Sequence, residues 1–161
     1  MKNYVVGVGV ALLVVSGPVS VSAQSVSIGG DVPTPITLAV ADVAKLAQHT
    51  VTVQTSAGSV KYTGAKMADV LGLAGLKLDD ASRPANGLRY VVVGAVDPFR
   101  LVVSLLEFDP AVAPADAILA ITSSGAPLPK GDGAFRLVMA SDKRATRWVK
   151  AVNSVQVATV P

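Results

Sequence analysis

The chain contains no cysteine, and that absence limits how it can be held together. Disulfide staples, thiolate metal sites and cysteine nucleophiles are all excluded, so the fold has to rest on a hydrophobic core. Material for one is plentiful: 51% of the residues are hydrophobic, and Val, Leu and Ala recur along the whole chain. No long polar low-complexity tract interrupts them, which argues against disorder away from the ends.

The first residues follow a targeting pattern. Lys2 supplies a short positive start, Tyr4 to Val15 is an apolar run, Gly17 and Pro18 break it, and Val21-Ser22-Ala23 is a small-residue cleavage site before Gln24. This is the order of parts in a secretory signal peptide. A membrane-spanning helix needs about 20 consecutive apolar residues, and Ser16, Pro18, Ser20 and Ser22 cut this run short. Residues 1–23 are therefore expected to be removed, leaving a periplasmic or secreted protein that meets a membrane only during export. Losing Lys2 reduces the 14 Lys and Arg to 13, against 11 Asp and Glu. So small an excess does not point to nucleic acid.

What remains has the common size of one domain. Residues 24–35 are polar and punctuated by Gly29, Gly30, Pro33 and Pro35, and are expected to be a flexible lead into a single domain over residues 36–158. Ile36 to Leu38 reads as a strand and Val40 to Ala47 as a helix, with Asp42 suited to the positive helix start. His49 to Thr55 alternates as a strand and turns through Ala57-Gly58 into a second one at Val60 to Thr63. Met67, Val70, Leu71 and Ala74 then fall at the spacing of one helix face, with Gly75 placed as the stop. After a polar loop from Lys77 to Gly87, strands are expected at Tyr90 to Val93, Arg100 to Ser104, Ile118 to Thr122, Phe135 to Met139 and Val152 to Val157. Leu105 to Phe108 forms one helical turn, and Gly125 to Gly133 a long turn. No repeat or second domain stands out.

The order of these pieces carries a resemblance. Tyr62-Thr63-Gly64 precedes the helix ending Asp69-Val70-Leu71, followed by Tyr90-Val91-Val92-Val93 and Ser104-Leu105-Leu106-Glu107. Gly125-Ala126-Pro127-Leu128-Pro129, Phe135-Arg136-Leu137-Val138 and Asp142-Lys143-Arg144 then lead to Arg147-Trp148-Val149-Lys150. Over Thr37 to Val157 the chain resembles the oxidoreductase molybdopterin-binding domain family, the catalytic-domain type of sulfite oxidase and of periplasmic methionine sulfoxide reductase subunits. The resemblance implies an α+β fold, a mixed β-sheet domain of the sulfite-oxidase molybdopterin-binding type with a few short helices, together with molybdopterin as cofactor and a cysteine, before the Tyr-Thr-Gly-like segment, that ligates molybdenum. Here that stretch is Val53-Gln54-Thr55-Ser56-Ala57-Gly58, with Thr55 and Ser56 at the place of the ligand. A neutral hydroxyl is a poor substitute for a thiolate, so family-style oxygen-atom transfer is not expected. The connecting segment is also shorter than the family usually has, which implies a trimmed pocket.

Other chemistry is thin. The basic residues Lys130, Arg136, Lys143, Arg144, Arg147 and Lys150 cluster before the last strand, where the resemblance implies contacts to the pterin phosphate. Arginine can grip phosphate in a fork and lysine supplies a point charge. Asp132 and Asp142 lie in the same stretch and can balance the cluster into a solvated face. Trp148, the only tryptophan, can pack in the core or stack against a cation or a flat ring. His49, the only histidine, has no companion to make a metal site. No carboxylate pair, nucleophile elbow or dinucleotide fingerprint stands out. The expected site is a pocket bounded by the Thr55 loop and the basic segment, formed by Thr55, Ser56, Arg136, Lys143, Arg144, Arg147 and Trp148. The expected function is a non-catalytic binding or accessory module whose partner is an anionic small molecule or a redox partner protein. The alternative is a pterin-cofactor-binding oxidoreductase subunit of the sulfite oxidase type, and a third class is an interaction protein using an exposed sheet edge.

Overall fold

A computed structural model describes residues 24–56, 58–114 and 116–161. The segment expected to be a signal peptide lies outside the described residues. Ten strands make two five-stranded sheets. The first runs in the order β2 (Ile36–Ala39), β1 (Ser25–Gly30), β10 (Val152–Thr159), β5 (Arg89–Ala95), β6 (Arg100–Ser104). All its pairings are antiparallel except that of β1 with β10, so the sheet is mixed. The second is antiparallel: β3 (Gln48–Thr55), β4 (Gly58–Lys66), β7 (Ala117–Ser123), with β8 (Ala126–Pro127) and β9 (Arg136–Met139) sharing the far edge of β7.

Within the expected flexible lead of residues 24–35, Ser25–Gly30 is instead an interior strand, β1. Val26 and Ile28 of β1 are buried and alternate with Ser25, Ser27 and Gly29, so burial of one face and pairing on both edges order a stretch whose composition reads as polar. One contiguous core takes in Val26, Ile28, Val91, Val93, Val155 and Val157 from the first sheet and Tyr62, Ile118, Leu119 and Leu137 from the second. No helix among the described residues is long and apolar enough to cross a membrane.

The helices are short and lie at strand ends. Helix α1 (Val40–Ala44) stops earlier than its apolar spacing suggests, because the Gln48 side chain donates to the carbonyls of Val43 and Leu46 at 2.8 and 2.9 Å and the chain turns into β3. Asp42 accepts from the Ala39 amide at 3.0 Å, satisfying one of the amide donors at the helix start. Helix α2 (Met67–Leu73) buries Met67, Val70 and Leu71, with Ala74 following. It ends at Gly75, whose φ of +85° suits glycine. The polar loop after it contains one further turn of helix, α3 (Arg83–Asn86).

Candidate functional site

The turn before β9 sets the site. Asp132 ends a single helical turn, Lys130–Asp132, and is buried; the Ala151 amide donates to its carbonyl at 2.7 Å, clamping the turn to the start of β10. Four residues on, Arg136 opens β9 and donates through Nη1 to the Asp132 carboxylate, while Lys150 Nζ stands 3.3 Å from the other oxygen of the same group. One buried carboxylate thus holds two of the six clustered cations.

Two rings complete the arrangement. The Arg136 guanidinium lies 5.1 Å from the Tyr62 ring centre and 5.5 Å from that of Trp148, cation–π distances for both. The rings meet edge to face, 6.1 Å apart at 84°. Trp148 is buried and its indole N–H donates to the Met139 carbonyl at 2.9 Å, so the ring packs in the core and also forms a wall. Arg136, Trp148 and Lys150 face Ala95, Asp97 and Phe99, at the end of β5 and in the turn after it, across a cleft of about 340 Å³. Arg136 Nε is buried beside it with no hydrogen-bond partner among the described residues, a donor that an acceptor atom in the cleft would satisfy.

The remaining expected site residues do not line this cleft, although Ala145 and Thr146, between Arg144 and Arg147, do. Arg147 donates from Nε to Asp142 at 3.0 Å and from Nη1 to Glu107 at 3.3 Å. Its pKa is raised, first by the Asp142 hydrogen bond. These contacts tie the connection between β9 and β10 to the helical turn Leu105–Phe108. Lys143 and Arg144 are exposed in that connection and make no ion pair among the described residues. Thr55 and Ser56 sit at the tip of the hairpin between β3 and β4, where Thr55 Oγ1 donates to the Gly58 carbonyl at 2.8 Å and Ser56 is exposed.

Register separates that tip from the cleft. Thr55 lies opposite Gly58, whereas Arg136 lies opposite Ala120, itself opposite Gly64. Six residues along β4 amount to roughly 20 Å, and β4 and β7 stand between the two outer strands. The single pocket expected between the Thr55 loop and the basic segment is therefore two places. Phe99 lines the cleft, and Asp132 and Tyr62 contact its Arg136. Sequence showed Asp132 only as a balancing charge and Tyr62 only as part of a motif, and it carried no signal for Phe99.

The donor set does not fit molybdenum. No thiol exists in the chain, the Thr55 hydroxyl is spent as a donor to a carbonyl, and metal ligands bind deprotonated. Among the described residues no group of three His, Asp or Glu side chains is placed to hold a metal ion.

Comparison with known proteins agrees with the architecture. The crystal structure of the sulfane dehydrogenase SoxCD from Paracoccus pantotrophus superposes with a TM-score of 0.66 at 20% identity, over 88% of this chain and 40% of that one. At that identity the likeness is one of fold, and the chain spans less than half the length of that solved chain. No curated protein matches. The family model described as oxidoreductase molybdopterin binding domain matches residues 15–161, nearly the whole sequence, and the chain belongs to the oxidoreductase molybdopterin-binding domain family.

Proposed function

We propose that this chain is an exported, non-catalytic member of its family that works as a binding or accessory module, taking a flat, anionic small molecule into the cleft of Arg136, Trp148 and Lys150. The observation that carries the reading is the pairing of two facts. The place that the family resemblance implies for the metal ligand falls at Thr55 and Ser56, with the Thr55 hydroxyl engaged with Gly58, while the cleft keeps two cations, an aromatic wall and, among the described residues, an Arg136 Nε without a hydrogen-bond partner. Binding groups are present without a metal donor. Export rests on the pattern of residues 1–23, and a redox protein that receives or presents the bound molecule is part of the same reading.

The test is to purify the mature protein from a host able to make the pterin cofactor, and to measure molybdenum, tungsten and oxidised pterin alongside thermal stability in inorganic phosphate. A metal-free protein whose Tm rises with phosphate supports the binding module. Stoichiometric metal and pterin would overturn it in favour of an oxidoreductase subunit of the sulfite oxidase type. Absence of metal, pterin and phosphate response would leave an interaction protein.

A further inference from the structure

We propose that Gln24 becomes a pyroglutamate once export has freed it. The inference rests on the reading above that the chain is cut after Ala23, and it concerns the side chain that this cut would make first. Gln24 is exposed and belongs to no strand, since the pairing of β1 begins one residue later with Ser25 opposite Ala39. Its backbone nitrogen is therefore not engaged in the sheet that follows.

The surroundings favour losing the terminal charge. Gln24 borders two clefts of about 330 and 310 Å³ that meet at Gly133 and Ala134. The first is walled by Val40, Ile121 and Leu128 and carries Lys130. A freed α-ammonium would add a second positive charge to the cleft that Lys130 lines. A neighbouring cation also favours the unprotonated amine, and α-amino groups ordinarily titrate at about 7.7–8.0, so the nucleophilic form is populated at neutral pH.

The chemistry is complete within the residue. The lone pair of the α-nitrogen attacks the Gln24 side-chain Cδ, and the new N–Cδ bond closes a five-membered lactam. The Cδ–Nε2 bond breaks, and the departing nitrogen takes up the proton shed by the α-nitrogen and leaves as ammonia. No oxidant, reductant or second substrate is needed. The product is a neutral ring whose methylene edge suits the apolar walls, and it removes the free amine on which aminopeptidases act, just before the strand lodged between β2 and β10.

The experiment expresses the full chain, residues 1–161, in an exporting bacterial host and reads the exported protein by intact mass and stepwise N-terminal degradation after storage at neutral pH. The expected result is a chain that begins at residue 24, is lighter by one ammonia, and is refractory to degradation. The variant Gln24→Ala should keep its calculated mass and sequence normally. A chain that begins at Gln24 but retains its ammonia overturns the proposal and leaves export standing. A chain cut at another position overturns the proposal and leaves export standing, whereas one that keeps residues 1–23 overturns the export reading and the proposal with it.

Discussion

The guanidinium of Arg136 stands 5.5 Å from the centre of the Trp148 ring, and what keeps it there is a carboxylate rather than a ligand. Arg136 and Asp132 are both largely buried, with side chains 11% and 6% exposed. Removing one partner of such a pair leaves the other charge desolvated. Arg136→Ala should therefore lower the unfolding free energy by about 3 kcal/mol, measured by urea denaturation, with Lys150 giving Asp132 only partial relief. The double variant Arg136→Met, Asp132→Leu should recover most of that loss, because two apolar side chains of similar bulk need no pairing. Equal losses in the single and double variants would mean that burial of the pair is not what counts.

The Tyr62-Thr63-Gly64 segment has a structural reason for its glycine. The ladder between β4 and β7 slips at Thr63 and Gly64, and a Cβ on Gly64 would lie 2.0 Å from the Leu119 carbonyl oxygen and 2.5 Å from the Ala120 Cα. Both are backbone atoms of a central strand and cannot swing aside. Gly64→Ala should cost about 3 kcal/mol, read as a lower urea midpoint. Gly72→Ala is the control: it adds a methyl in open space on α2, where alanine is the better helix former, and should leave stability unchanged or slightly raised.

These two sites mark what could be read in the sequence. The spacing of Met67, Val70, Leu71 and Ala74 gave away α2, because a helix face repeats at a fixed interval. Strand β1 was hidden, because only Val26 and Ile28 mark its buried face and Gly29 and Gly30 read as a turn. Weighing the alternation of Ser25 to Ile28 above the glycines would have found it. The cleft was harder still. Arg136 and Trp148 were in view as members of a basic segment, but their meeting with Tyr62 depends on which residues β4, β7 and β9 set opposite one another, and register is a property of the assembled sheet. Register likewise separates Thr55 from Arg136, which charge and sequence order alone do not.

Acid should weaken the fold through Asp109. Its side chain is shut away from solvent, and its carboxyl is held below the usual carboxylate range, first by the hydrogen bond from Arg83 Nε at 2.9 Å and then by the Ala111 amide. A folded-state pKa below the unfolded one means that folding favours the ionised form. The contribution is complete above the ordinary value of about 3.9 and is lost as pH falls through the folded value. Asp42 and Asp79 are lowered in the same direction, by Lys45 and by Ser82 respectively. The Tm should hold level from neutral pH down to about pH 5 and drop below about pH 4. Asp109→Asn should start lower at neutral pH and show a shallower acid drop, and an acid slope unchanged from the parent would remove Asp109 from the account.

A single tryptophan makes the cleft its own reporter. Trp148 is buried at the wall of the cleft with its N–H fixed on Met139, so its emission should be that of an apolar setting and should change when an anion enters beside Arg136 and Lys150. Titration with inorganic phosphate, followed by this emission, separates two groups of cations that are indistinguishable by charge. Lys150 lines the cleft, whereas Lys143 and Arg144 are exposed and do not, although Ala145 and Thr146 of the same connection do. Lys150 is itself 61% exposed, and a solvent-facing ion pair is worth up to about 1 kcal/mol. Lys150→Ala should accordingly weaken phosphate binding by about fivefold, while the double variant Lys143→Ala, Arg144→Ala should change it less, because neither side chain lines the cleft. The reverse pattern would move the anion out of the cleft and onto the connection, and would make Trp148 a core residue that happens to border an empty groove.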